Sequence, residues 1–423
     1  MADGALSDGQ AWFADARFGM FIHWGLYSAQ GWEPSWPLVG GNVAFPHGQD
    51  IPVADYYAAA PAFCPPEGAP VEWMRLAKAC GMQYAVLTTK HHDGFALFGG
   101  DTATFGIQDN EPGRDLVREF VDAAREAGLR VGFYLSLPDW HEPDYPAWTD
   151  EMRPYGYVLP KPEPDAWARF LERLRAQLRH LLTDYGTIDT LWFDGGWERS
   201  AERWGAPELE ALIRELQPDV VVNNRLPGVG DYESPEQAVP HPAPDGPWEV
   251  CMTMNQSWGP VVEDPDRKSA RYLLTVLTEV AAGGGNLLLN ISPEGDGAVP
   301  GWQRERLEAI AAWMDRNGDS VHGTDRGLEP WQFHGPTTRR GDTTYLFCDG
   351  RPQDFVVLRG TVGSSITSIR ALGTGRELSF ELQLGALERI LGGTGVVCDV
   401  IIEVPDDALD PVLTVLEVTY AAT

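Results

Sequence analysis

Short apolar runs alternate with stretches of helical spacing over the first three quarters of the chain. The runs at residues 17–25, 84–89, 129–137, 188–194, 220–225, 249–255 and 286–291 read as strands. Between them, residues 71–80, 114–127, 165–185, 207–216, 267–282 and 302–316 read as helices. In 114–127 the apolar positions Leu116, Phe120, Ala123 and Ala124 fall on one face, and Gly128 supplies the stop. Strands apolar on both faces and separated by helices predict a parallel sheet covered on both sides. Seven or eight such units predict a (β/α)8-like, TIM-type barrel over residues 1–328. A doubly wound sheet would place a Gly-rich phosphate loop after its first strand, and none follows Trp24. The long connections at 28–68 and 138–164 leave strand ends. They are therefore expected to wall the barrel face that carries the chemistry.

The texture changes near Gly327. Short strand-like runs at 343–348, 355–358, 366–369, 396–404 and 412–418 are punctuated by Gly, Asp and Pro, with no helical spacing between them. A small antiparallel β-sandwich over residues 329–423 is expected.

Composition narrows the function classes. The net charge of −30 opposes binding to nucleic acid or an anionic membrane surface. No apolar run approaches the roughly 18 residues of a membrane-spanning helix. The five cysteines are scattered and include no CxxC pair, and residues 1–8 lack a basic segment leading into an apolar one. Those features lead to the expectation of a reduced, cytoplasmic protein. Most of the 16 tryptophans are expected in the core, but so many also suit flat apolar ligand faces such as those of sugars.

Polar clusters stand at four strand ends: His23-Trp24, His91-His92-Asp93, Trp192 with Asp194, and Asn223-Asn224-Arg225. Only a closed barrel brings four different strand ends together. Asp194 ends an apolar strand and is followed by two glycines, the setting of a glycosidase nucleophile. A lone strand-end Asp would more simply cap the next helix; the neighbouring clusters favour chemistry. Histidines on one rim are candidate zinc ligands. Adjacent residues on a strand point to opposite sides, however, so His91 and His92 are better read as partners of sugar hydroxyls. Neither metal nor cofactor is expected.

Six stretches resemble glycoside hydrolase family 29, the α-L-fucosidases, in the family's order. They run from Arg17 to Gly25, Lys90 to Phe95, Leu191 to Gly195, Gly230 to Gln237, Trp248 to Thr253 and Gly284 to Asn290. The resemblance implies a barrel followed by a β-sandwich. It implies a retaining exo-α-L-fucosidase whose partner is a fucosylated oligosaccharide. Asp194 matches the nucleophile, and His23, His91 and His92 match residues that bind fucose hydroxyls. Trp24 stands beside the first of these. Trp192 and Arg225 match neighbours of the nucleophile, and Tyr134 and Trp140 the wall after the third strand. Two glutamates match acid/base positions of different subgroups. Glu236, in Ser234-Pro235-Glu236-Gln237, is favoured by resemblance over Glu249. Glu33 and Trp36 stand near a Glu-Trp-Tyr segment of relatives. The Pro-Glu loop implies a preference for branched α1,3/α1,4 linkages, with Trp36, Trp140 or Trp258 stacking on a second sugar. The alternatives are a glycosidase of this fold for another sugar and a non-catalytic sugar-binding protein.

Overall fold

The computed structural model describes residues 6–41, 45–146, 149–153, 160–390 and 395–421. Its first part is a parallel sheet of seven strands: β1 (Phe18–Ile22), β2 (Tyr84–Lys90), β3 (Arg130–Ser136), β4 (Thr190–Asp194), β5 (Val221–Val222), β6 (Glu249–Met252) and β7 (Asn286–Ile291). They lie in the order β5-β4-β3-β2-β1-β7-β6. The gap between β5 and β6 is filled by residues 232–236. Isolated parallel bridges join Tyr232 to Asn223, Glu233 to Trp248 and Glu236 to Cys251. The ring thus has eight positions, one held by irregular chain that delivers Glu236 to the rim. Expected strands at 220–225 and 249–255 are shorter than their apolar runs, because Asn223, Asn224 and the residues after Met252 leave the ladder to form the rim.

Strand residues alternate between two cores. Phe18, Met20, Ala85, Leu87, Phe133, Leu135, Leu191 and Phe193 face the helical layer. Phe21, Tyr84, Val86, Tyr134, Trp192, Cys251 and Leu288 fill the barrel interior. Gly19 is required there, since a Cβ would lie 2.4 Å from the Tyr84 ring. The helices Ala69–Ala79, Leu116–Glu126, Pro164–Thr183, Ala206–Leu216, Ala270–Ala282 and Gly301–Asn317 cover the outside.

The second part is a sandwich of a six-stranded and a three-stranded antiparallel sheet, and its first strand is Asp325–Arg326. A helix at Ala386–Ile390 departs from the all-strand expectation; its five residues are too few to show an apolar period. Leu346, Leu358, Val400, Ile402 and Leu416 form the sandwich core. Tyr345, Phe347, Leu413 and Val415 pack into the barrel's outer core, and Trp313 donates its indole N–H to the Leu413 carbonyl at 2.7 Å. Among the described residues no helix is long and apolar enough to cross a membrane, and all five cysteines are free.

Candidate active site

Period-two alternation aims the last inward residue of each strand at the barrel mouth. Asp194 follows inward Trp192 on β4, Ser136 follows Tyr134 on β3, and Asn290 follows Leu288 on β7; Ser136 and Asp194 are register partners. The chain then turns sharply at two glycines. Gly195 has φ +75°, and a Cβ there would lie 2.3 Å from Pro138. At Gly196 a Cβ would lie 1.9 Å from the Arg225 carbonyl oxygen. The exits of β3, β4 and β5 approach this closely only because both positions lack side chains. Gly196→Ala is therefore expected to push the β5 exit outward and displace Arg225. Overpacking of this kind costs about 1–3 kcal/mol. A thermal melt should show a lower Tm together with kcat/KM down about tenfold or more on an aryl glycoside.

Arg225 connects the two carboxylates of interest. Its Nη1 donates to Asp194 Oδ1 at 2.9 Å and its Nη2 to Glu236 Oε2 at 2.7 Å. The guanidinium lies 4.5 Å over the Trp192 ring, which stacks on Tyr134. Tyr134 donates its hydroxyl to Asp194 Oδ2 at 2.9 Å, and His92 Nε2 lies 3.6 Å from the same oxygen. Burial alone would raise the pKa of Asp194. The Arg225 charge and the hydrogen bonds from Arg225 and Tyr134 outweigh burial and hold it below the ordinary carboxylate value. Asp194 is thus an ionised carboxylate in a largely dry site. Glu236 is one-third exposed and reaches solvent.

The three rim histidines are anchored through Nδ1: His23 on Asn290 at 2.7 Å, His91 on Ser35 at 2.6 Å and His92 on Ser136 at 2.6 Å. Burial lowers His23 to about 3, His92 to about 4 and His91 well below its ordinary value, so all three are neutral near pH 7. β2 ends at Lys90, so His91 and His92 lie beyond the ladder and strand alternation does not separate them. Their rings are 4.3 Å apart, and with Asp194 they offer donor atoms within 4.8 Å of one another. That grouping has the composition of a metal site. Two cations stand beside it, however: Arg225 on Asp194, and buried Lys90 paired to Asp139 at 2.9 Å. A metal ion there would be repelled by both.

Asp194, Glu236, Arg225, Tyr134, Trp192, His23 and His91 line one pocket at the barrel mouth together with Phe21, Trp36, Phe45, Trp197 and Trp258. One ionised carboxylate, a second beside it, neutral imidazoles and aromatic walls make a site for one sugar ring.

The family model for α-L-fucosidase matches residues 5–319, which span the barrel. The chain belongs to the α-L-fucosidase family. Rat tissue α-L-fucosidase is 30% identical over 402 residues, covering 87% of this chain and 82% of its own. The structure of α-L-fucosidase isoenzyme 1 from Paenibacillus thiaminolyticus superposes with a TM-score of 0.84 at 36% identity, covering 98% of this chain and 99% of its own. A family 29 α-L-fucosidase from Bacteroides thetaiotaomicron, solved as a covalent intermediate with 2-fluoro-fucosyl fluoride in a Glu-to-Gln mutant, gives 0.81 at 26% identity, covering 99% and 97%. Barrel and sandwich together are the architecture of these fucosidases.

In this fucosidase-family chain the structure brings together Asp194, Glu236, His23, His91, His92, Tyr134, Trp192, Arg225, Trp36 and Trp258. Four other candidates lie elsewhere. Trp24 faces the outer core against Phe63 and Trp73, with its indole N–H on the Glu294 carbonyl. Glu33 is buried beneath the wall and accepts the backbone N–H groups of Trp258 and Gly259. Trp140 packs edge-on behind Trp36, beside His92, and donates to Glu198 at 3.1 Å. Glu249 lies at the start of β6, under the pocket floor, where it accepts hydrogen bonds from Tyr84, Trp192 and Tyr232. Phe21, Phe45 and Trp197 line the pocket without having been singled out in the sequence. Phe21 was available by alternation from His23, and Trp197 by its place just after the two glycines. Phe45 lies in a long loop with no such signal.

Burial raises Glu249 from 4.5 to about 7. The folded protein keeps this proton at pH values where the unfolded chain has lost it. Its contribution to stability is complete below pH 4.5 and is lost as pH rises through about 7. Glu249→Gln has no such proton. Its stability should fall less than that of the parent between pH 5 and 8, by on the order of 3 kcal/mol. The slopes from His23 and His92 run the other way in both proteins and cancel. Denaturant melts at the two pH values check this; parallel pH profiles would contradict it.

Proposed function

We propose that this protein is a retaining exo-α-L-fucosidase, with Asp194 as nucleophile and Glu236 as acid/base. The observation that carries the reading is the ionised Asp194 sharing one guanidinium with a solvent-reaching glutamate in an aromatic-walled pocket. Asp194 attacks the anomeric carbon, and Glu236 protonates the departing glycosidic oxygen. Water deprotonated by Glu236 then attacks the fucosyl-enzyme, releases fucose with its configuration retained, and frees Asp194. The histidines receive the hydroxyls, and Phe21, Trp192 and Trp258 offer the apolar surface a 6-deoxy sugar requires. The relatives' names support this assignment over another sugar, and the intact pair of carboxylates supports an enzyme over a binding protein. Hydrolysis of a panel of nitrophenyl glycosides tests it: the α-L-fucoside should be cleaved far faster than α-galactoside or β-glucoside, with the α-anomer of fucose formed first. Equal rates across the panel would contradict the assignment.

The preference for branched α1,3/α1,4-fucosides belongs to the same proposal. Trp197, 54% exposed beside Asp194, and Trp36 present aromatic faces at the pocket rim, whereas Trp140 and Trp258 are almost wholly buried. The second sugar is therefore assigned to Trp197 and Trp36. Trp197→Ala should lower kcat/KM for a Lewis-type trisaccharide by about tenfold, an aromatic stack being worth roughly 1–1.5 kcal/mol, and leave nitrophenyl fucoside within about twofold. Equal losses on both substrates would refute the second-sugar wall.

A further inference from the structure

Two of the rim histidines have partners that fix where the ring proton sits. Ser136 Oγ lies 2.6 Å from the Pro138 carbonyl oxygen and 2.6 Å from His92 Nδ1. A carbonyl only accepts, so the single hydroxyl proton of Ser136 goes to Pro138. The serine oxygen must then accept at its other contact, and His92 Nδ1 carries the proton. Asn290 works in the same way. Its Nδ2–H donates to the Trp258 carbonyl at 2.9 Å, which turns Oδ1 toward His23 Nδ1. Both rings are neutral, as burial dictates, and a neutral imidazole has one N–H. Each Nε2 is left as a bare acceptor.

For His92 this has a consequence at the reacting centre. Its Nε2 is buried, has no hydrogen-bond partner among the described residues, and lies 3.6 Å from Asp194 Oδ2. Two electron-rich atoms face each other across a gap that lacks a proton. A buried acceptor left unpaired costs about 1–3 kcal/mol, so the site is built for a donor that arrives from outside. The other tautomer would direct an N–H at Asp194 and hold the nucleophile's electrons in a hydrogen bond.

We propose that Ser136 is a positioning residue that holds His92 as the Nδ1–H tautomer, so that a sugar hydroxyl next to the reacting carbon donates to His92 Nε2 while Asp194 stays free to attack. Asn290 does the same for His23 on the far wall. The identity of the hydroxyl donor rests on the fucosidase reading; the proton positions do not. The pocket therefore selects hydroxyls that donate at these two points, and a methyl ether there leaves His92 unpaired and the substrate rejected.

Nitrogen-15 NMR of histidine-labelled, ligand-free protein tests this directly, with His92 and His23 assigned through His92→Gln and His23→Gln. The expected spectrum has protonated Nδ1 and unprotonated Nε2 at both residues. In Ser136→Ala, His92 should move to the Nε2–H form, and kcat on nitrophenyl fucoside should fall by about tenfold or more. A parent protein with the proton on His92 Nε2 would overturn the proposal without any variant having to fold. So would Ser136→Ala with the tautomer unmoved, or with it flipped and kcat undiminished. The expected spectrum from a protein that hydrolyses no fucoside would sink the fucosidase reading and leave the proton assignment standing.

Discussion

Asp194→Ala should fold and lose almost all turnover, with kcat on nitrophenyl fucoside down about 10⁴-fold or more, because no fucosyl-enzyme can form. Arg225 keeps its contact with Glu236 in this variant, so the guanidinium is not stranded. The Tyr134 hydroxyl loses its acceptor, a cost of about 1–3 kcal/mol that a thermal melt should register without abolishing the transition. Removing the carboxylate also opens space beside the anomeric carbon. Added azide should enter it and attack directly, giving the inverted β-fucosyl azide. Parent-like rates would remove Asp194 from the mechanism.

Glu236→Ala should fail in a different way. Nitrophenolate leaves without a proton and a sugar alkoxide does not, so the variant should lose far more activity on an oligosaccharide than on nitrophenyl fucoside, by about 10²-fold or more. Azide should accelerate it too, but by intercepting the fucosyl-enzyme on Asp194. The product is then the α-fucosyl azide, with configuration retained. The opposite stereochemistry from the two variants separates the roles of the two carboxylates in a way that rates alone do not. The same behaviour from Glu249→Ala, with Glu236→Ala unaffected, would reverse their assignment. The structure favours Glu236, since it contacts Arg225 at the pocket while Glu249 lies beneath Trp192.

Much of this site was legible because strand geometry is simple. An apolar run ending in Asp194 could only deliver that carboxylate to the barrel rim, and period-two alternation sets its direction. The same alternation argues that Trp24, next to inward His23, faces the outer core, a signal present but outweighed by the attraction of the His-Trp pair. Residues 232–236 were not legible as barrel wall. Tyr232-Glu233-Ser234-Pro235-Glu236 has neither an apolar run nor a proline-free ladder, and only the gap between β5 and β6 draws it into place. Glu249 was misplaced for a related reason. It was a candidate by resemblance alone, although a strand start points away from the rim, and nothing local announces that hydroxyls from Tyr84 and Tyr232 meet it inside the barrel. Glu33 likewise contacts the backbone of Trp258 from 225 residues away, a distance that hydrophobic patterning does not span.

The proposed mechanism requires a covalent fucosyl-enzyme on Asp194. Incubation with 2-fluoro-fucosyl fluoride, followed by proteolysis and mass spectrometry, tests it most directly. One adduct of a 2-fluorofucosyl group is expected, located by fragmentation on Asp194 in the Trp192-Phe193-Asp194-Gly195-Gly196 segment. An adduct on Glu236, Glu249 or any other residue, or turnover of the reagent with no adduct and inverted product, would contradict it.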